Sequence, residues 1–217
     1  MFAGHVGAGL LLGRGARAVN VGAFVVAALL LDLLLWCFVL AGWERVTVPA
    51  DFRSTHQASF VFPWSHGLAA ACGWSLIAAA LVAWSQGPAS ALRLRAALLI
   101  AAAVLSHWLL DALVHVPELP LAGAGSMKLG LGLWRHMPAA LALESLLVVA
   151  GLWLYLQGSG WVRWRAIVLV ALCAVLLLFT IAGMTVAPPP PSVTAMAASS
   201  LVTLVVSCGL VLWVANP

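Results

Sequence analysis

Six long apolar runs organise this chain. The first extends from Val19 to Leu40 and is broken only by Asp32; the second runs from about Gly67 to Trp84 and the third from about Ala96 to Val116. The fourth begins near Pro138 and ends near Leu156, the fifth covers Ala166 to Val186, and the sixth runs from about Ala198 to Val214. A hydrocarbon core of about 30 Å asks for about 20 apolar residues in a helix, whose backbone hydrogen bonds are all internal. Pro138 suits a first helical turn, and the run Pro188 to Pro191 cannot continue the fifth helix. A seventh stretch, Phe2 to Leu12, is too short to span and is rich in glycine. It is expected to be a short helix or re-entrant segment packed within the bundle. Arg14 and Arg17 follow it rather than precede it, the reverse of a cleaved signal peptide. The pattern predicts an all-α, polytopic transmembrane helix bundle of about six spans, with residues 1–217 forming one domain.

Composition removes the soluble alternative. Charged residues make up 7% of the chain and hydrophobic ones 65%, whereas a soluble domain carries about a quarter charged residues. The net charge of +4 has its explanation in topology. Arg14 and Arg17, Arg93 and Arg95, and Arg163 and Arg165 fall in three segments that share one side of a six-span chain, and no acid accompanies them. The opposite loops, 41–66 and 117–137, mix Arg45, Arg53, Lys128 and Arg135 with Glu44, Asp51 and Glu118, and are expected to be solvated. Basic residues favour the cytoplasmic side, so both termini are expected there, with the protein in a bacterial cytoplasmic (inner) membrane. No basic patch suited to nucleic acid remains. Trp43, Trp64 and Trp134 near one boundary, and Trp84, Trp161 and Trp164 near the other, fit interfacial belts. Cys37, Cys72, Cys173 and Cys208 each fall in a different run without paired spacing, so they are expected to be small buried hydrophobes.

The ionisable residues inside apolar runs carry the candidate chemistry, because such groups are costly in a bilayer and mark function or pairing. They are Asp32, His66 at the start of the second run, His107, Asp111 and His115 in the third, and Glu144 in the fourth, with His5 in the N-terminal segment. Steps of four residues drift by only about 40° around a helix, so His107, Asp111 and His115 are expected to form a stripe on one face. Imidazole and carboxylate converging from facing helices are the donors of bundle-core metal sites and suit zinc, manganese or iron. The depths of these residues along their helices bring them to one half of the membrane. Arg135 and His136, beside the start of the fourth run, are candidates for holding a substrate headgroup.

His5, Asp32, the pair Ser65-His66 and the segment Ser106-His107-Trp108-Leu109-Leu110-Asp111 occur in an order that resembles the membrane-bound metal-dependent hydrolase family typified by the bacterial YdjM protein. The resemblance covers roughly the first 115 residues. It implies a metal site more strongly than a substrate. Two features depart from the family pattern: one acid stands after the first run where two are usual, and Phe62-Pro63-Trp64 replaces an Arg-Gly before the histidine pair. A second metal and an arginine-dependent step are therefore not implied. The resulting expectation is a metal-dependent hydrolase that acts on a lipid or lipid-linked ester near the outer leaflet. Its metal is a divalent transition ion such as zinc, held by Asp32, His66, His107 and Asp111, with His5 and His115 as further candidates and Glu144 as general base. The alternatives are a transporter that moves protons or metal ions through the same groups, and a non-catalytic membrane subunit.

The arginine pairs generate the first prediction. Reporter fusions after residue 217 should report cytoplasm and fusions within 120–130 the opposite side; the reverse pattern at both points would overturn the orientation.

Overall fold

The computed structural model describes residues 1–85 and 90–216, and in it the apolar runs become helices. These are α1 (Phe2–Gly13), α2 (Val21–Ala28), α3 (Leu30–Leu40), a single turn α4 (Phe52–Thr55), α5 (Leu68–Ser85), α6 (Ala91–Val114), α7 (Met137–Leu156), α8 (Arg163–Thr185) and α9 (Val193–Val214). By length and composition, α5, α6, α8, α9 and α7 with its preceding turn can each cross a membrane, and α2 with α3 makes a sixth span bent by 50°. The fold is thus the expected polytopic α-helical bundle.

Sequence signals fix the ends. Ser90 and Ser192 accept hydrogen bonds from Arg93 and Ala195, so α6 and α9 begin a turn earlier than their hydrophobicity suggests. Asn20 caps α2 in the same way. Two expectations need correction. The first run is not one continuous helix: it breaks at Leu29, whose backbone leaves the helical region, and Asp32 lies in the first turn of α3. The third ends at Val114, so His115 is an extended cap residue rather than the top of a helical stripe. Val116 precedes Pro117, which disfavours further helix there.

At one end of the bundle, the chain between the spans is built rather than merely solvated. β1 (Arg45–Thr47) pairs antiparallel with β2 (Ser59–Val61), Arg45 facing Val61. A smaller ribbon joins β3 (Leu119–Pro120) to β4 (Lys128–Leu129). Trp43 and Trp64 are exposed near this end, and Trp84 and Trp164 are exposed on other helix termini, as interfacial anchors should be. Trp134 instead lies over the His115 ring, with centroids 4.1 Å apart. At the arginine-rich end Arg17 donates to the Tyr155 and Gln157 carbonyls at 3.1 and 2.7 Å, closing the C-terminus of α7. Cys173 and Cys208 are buried as expected, while Cys37 and Cys72 are exposed on the bundle surface.

The short α1 is the centre of the fold. Twelve residues reach only about 18 Å, and the helix is enclosed by α2, α6, α7 and α8. Glycine makes this possible. A Cβ on Gly7 would come within 2.7 Å of the Val148 Cα on α7, and one on Gly9 within 2.8 Å of the Val25 Cα on α2. Backbones that approach so closely gain dispersion contact that lipid cannot replace.

Gly7→Val should therefore loosen α1 and destabilise the protein by about 1–3 kcal/mol or more, the usual cost of overpacking. Gly73→Ala, where a Cβ meets nothing within 4 Å, should be neutral or slightly stabilising. Thermal unfolding in detergent measures both; equal transitions for the two variants would refute the close-packing account.

Candidate metal centre

The buried polar residues converge. His5 comes from α1, Asp32 from the bend between α2 and α3, His66 from just before α5, and His107 and Asp111 from successive turns of α6. His5, His66, His107 and Asp111 are almost inaccessible, and Asp32 is partly exposed.

Hydrogen bonds on the far side of each imidazole decide what faces inward. His107 Nδ1 lies 2.7 Å from the Ala28 carbonyl, at the break between α2 and α3. A carbonyl only accepts, so Nδ1 carries the proton and Nε2 presents a lone pair. His66 Nδ1 lies 2.8 Å from Ser65 Oγ, and Ser65 Oγ lies 2.6 Å from Glu44 Oε2. The serine proton belongs to the carboxylate, so His66 Nδ1–H donates to the serine and its Nε2 is also a lone pair. These two Nε2 atoms face each other at 3.1 Å. Around them, Asp111 Oδ2 lies 3.1 Å from His107 Nε2 and 3.5 Å from His66 Nε2. Asp32 Oδ1 lies 3.7 and 3.6 Å from the same two nitrogens.

Lone pairs and carboxylates repel at such distances unless a cation lies among them. A proton can bridge two of these atoms; a divalent ion can bridge three of them, His66 Nε2, His107 Nε2 and Asp111, with Asp32 alongside. The spacing fits: ligands about 2.0–2.1 Å from a tetrahedral zinc ion stand roughly 3.3 Å from one another. The donor set therefore suits a metal, and the buried His/Asp cluster is a candidate metal centre. Two overlapping groups meet the distance requirement, His66 with His107 and Asp111, and His5 with Asp32 and His107. His107 has one nitrogen to give, because the other is committed to Ala28, so the two groups describe a single centre.

The remaining candidates take different places. His5 stacks on His107, with centroids 3.7 Å apart, and its Nε2 lies 3.1 Å from Asp111 Oδ1. Its Nδ1 is buried without a partner, so Nε2 carries the proton and orients the carboxylate. The Met1 amino nitrogen also lies 3.1 Å from Asp111 Oδ1. His115 stands at the margin: Nδ1 is 2.6 Å from Glu118 and Nε2 is 3.8 Å from Asp111 Oδ2. Glu144 accepts from the Gly4 amide at 3.0 Å and belongs to neither ligand group. Arg135 and His136 are exposed in the turn Leu133–His136 that leads into α7.

Beside the cluster lies a cavity of about 450 Å³, and Asp32 and Glu144 stand together in its wall. α8 and α9 also line it, through Phe179 and Thr180 of α8 and Ser199, Ser200 and Thr203 of α9. Glu44 and Glu118, read as loop residues, are structural. Glu44 is buried and also accepts from the Trp64 and Ser65 amides at 2.8 Å. Glu118 accepts from the Phe60 amide at 3.1 Å while holding His115. No spacing signal marked either residue; the pairing of β1 with β2 is what carries Glu44 to Ser65. No family model, curated protein or solved structure matches this chain.

Protein purified without chelator should hold a divalent transition metal, measured by elemental analysis, and Asp111→Asn should lose most of it. Ser65→Ala frees the His66 ring and should weaken metal affinity about 10–100-fold, as removal of an outer partner does. Unchanged affinity in Ser65→Ala would mean that the serine does not set the tautomer.

Proposed function

We propose that this protein is a membrane-embedded metal-dependent hydrolase that cleaves an ester of a lipid or lipid-linked substrate, as its resemblance to the YdjM-type family also suggests. The observation that carries this reading is the adjacency of a cluster suited to a cation, a carboxylate outside both ligand groups and a cavity: Asp32 and Glu144 both line the cavity, and Asp32 also faces the imidazoles of His66 and His107. A divalent ion such as zinc, when bound, supplies Lewis acidity, polarising an ester oxygen and making water a stronger acid. His66, His107, Asp111 and Asp32 would hold it. Glu144 acts as general base: its Oε2 is fixed by the Gly4 amide, and the carboxylate faces the cavity where substrate and water meet.

Depth supports a lipid substrate. Glu144 lies seven residues into α7, Thr180 five residues from the end of α8 and Ser199 six residues into α9, so these residues sit about 8–10 Å below the helix ends, while Phe52, His56 and Trp134 carry the cavity up to the loops. Phe179 and Ser199 belong to its wall and are exposed, which opens it sideways toward the acyl chains. With the arginine pairs cytoplasmic, this level belongs to the outer leaflet. A through-pathway for ions finds little support. Toward the arginine-rich end the cluster is backed by Leu10, Phe24, Val25, Ile100 and Val104, all buried and apolar.

Glu144→Gln should retain metal and fold while losing about 10²–10⁴ in rate, the usual loss when general-base assistance is removed. Metal content and ester cleavage are measured on the same preparation. Loss of metal as complete as in Asp111→Asn would make Glu144 a ligand. Metal or proton flux in proteoliposomes, without cleavage of any ester, would replace the hydrolase by a carrier.

A further inference from the structure

The chemistry of the cavity wall narrows the substrate, and this inference rests on the hydrolase reading. Each hydroxyl around it for which a hydrogen bond is seen has spent its proton on its own helix. Thr180 Oγ1 donates to the Leu176 carbonyl at 2.9 Å, Ser199 Oγ to Met196 at 3.1 Å, and Thr203 Oγ1 to Ser199 at 2.9 Å. What these side chains offer inward is oxygen lone pairs. The carboxylates of Asp32 and Glu144, which also line the cavity, offer more of the same. Among the described residues no arginine or lysine lines the space; its one imidazole is His56, in the loop after α4.

Charge points the same way. Asp32, Asp111 and Glu144 bring three negative charges to the cluster and its cavity, against a divalent ion and the Met1 amino group, which is engaged with Asp111. Positive charge is thereby used up. A phosphate group is all acceptor and carries net negative charge, and sites built for it present Arg, Lys or several N–H donors. Here it would meet acceptors and carboxylates in a medium of low dielectric.

We propose that the substrate is an uncharged, hydroxyl-bearing acyl ester, of which a monoacylglycerol is the simplest representative. Its hydroxyl groups donate to Ser199, Thr203 and Thr180, and its chain lies along Phe2, Phe179 and Met196 toward the exposed side. One water is consumed. Its hydroxyl joins the acyl carbon, the acyl C–O bond breaks, and its proton, taken up by Glu144, passes to the departing alcohol oxygen. Fatty acid and a polyol are the products.

The test uses the full chain in phosphatidylcholine nanodiscs loaded with zinc, with mono-oleoylglycerol and oleoyl-lysophosphatidic acid as probes. The two share chain and glycerol and differ in the phosphate. Binding is read by protection against thermal unfolding, and chemistry by release of oleate or inorganic phosphate. Mono-oleoylglycerol should bind at least about tenfold more tightly, and Thr203→Val, which keeps the shape and removes the acceptor, should erase most of that preference. Equal or tighter binding of the phosphate-bearing probe, phosphate release, or protection by neither probe would overturn the inference. Binding of mono-oleoylglycerol without oleate release would remove the hydrolase reading and overturn the ester's role as substrate, leaving only the cavity's preference for an uncharged, hydroxyl-bearing ligand.

Discussion

Two imidazole nitrogens held 3.1 Å apart, each bearing a lone pair when its ring is neutral, can meet only across a cation, whether a shared proton or a metal ion, and that constraint sets the terms for the rest of this molecule. Left alone, the pair is repulsive, and burial removes the water that would screen it. The protein holds it by fixing the outer nitrogens. His107 is tied to a backbone carbonyl at the break of a span, and His66 to a serine that is itself tied to a buried glutamate. Neither ring can turn its protonated nitrogen inward without abandoning a buried acceptor, which costs about 1–3 kcal/mol. The geometry is thus over-determined from outside, and the stabilisation it lacks inside is what a cation supplies.

The irregular features of the fold serve that arrangement. A continuous helix over Val21–Leu40 would use the Ala28 carbonyl in its own ladder; the break at Leu29 leaves it to His107 and turns Asp32 toward the imidazoles. Irregular backbone at membrane depth is tolerated only where it is buried or lines a cavity, and here it does both. Likewise α1 cannot span, and its enclosure needs Gly7 and Gly9 against α7 and α2. That enclosure brings His5 onto His107 and the Gly4 amide onto Glu144. The glycines are what let a third helix backbone approach the cluster so closely.

The spans were legible in the sequence because hydrophobicity over about 20 residues is a bulk property. Asp32, His66, His107, Asp111 and Glu144 were legible because a bilayer makes ionisable residues rare, and the structure brings them to one neighbourhood. The supporting residues were not. Glu44 and Glu118 stand in loops where acids are common, and only the short ribbons decide that they turn inward. His115 kept the four-residue spacing of the stripe, but the helix ends one residue before it, so spacing alone assigned it a face it does not share. The contribution of α8 and α9 was invisible for a different reason. A serine in a span satisfies itself on the preceding turn, and nothing in sequence tells whether its lone pairs face a neighbour or an empty space.

One-sidedness follows from the same energetics. Moving an ion through a bilayer requires polar groups or water along the whole path, since each unpaired charge in hydrocarbon costs several kcal/mol. The cluster has such groups on one side only. Toward the loops it meets His115, Glu118, Glu44 and Ser65, and sideways it meets the cavity; toward the arginines it meets the buried apolar side chains of Ile100, Val104, Phe24 and Leu10. The polar groups therefore open toward the loops and the cavity, with mostly apolar side chains beneath them. The acids and imidazoles are thus gathered at one depth, which is the arrangement that holding a cation there requires.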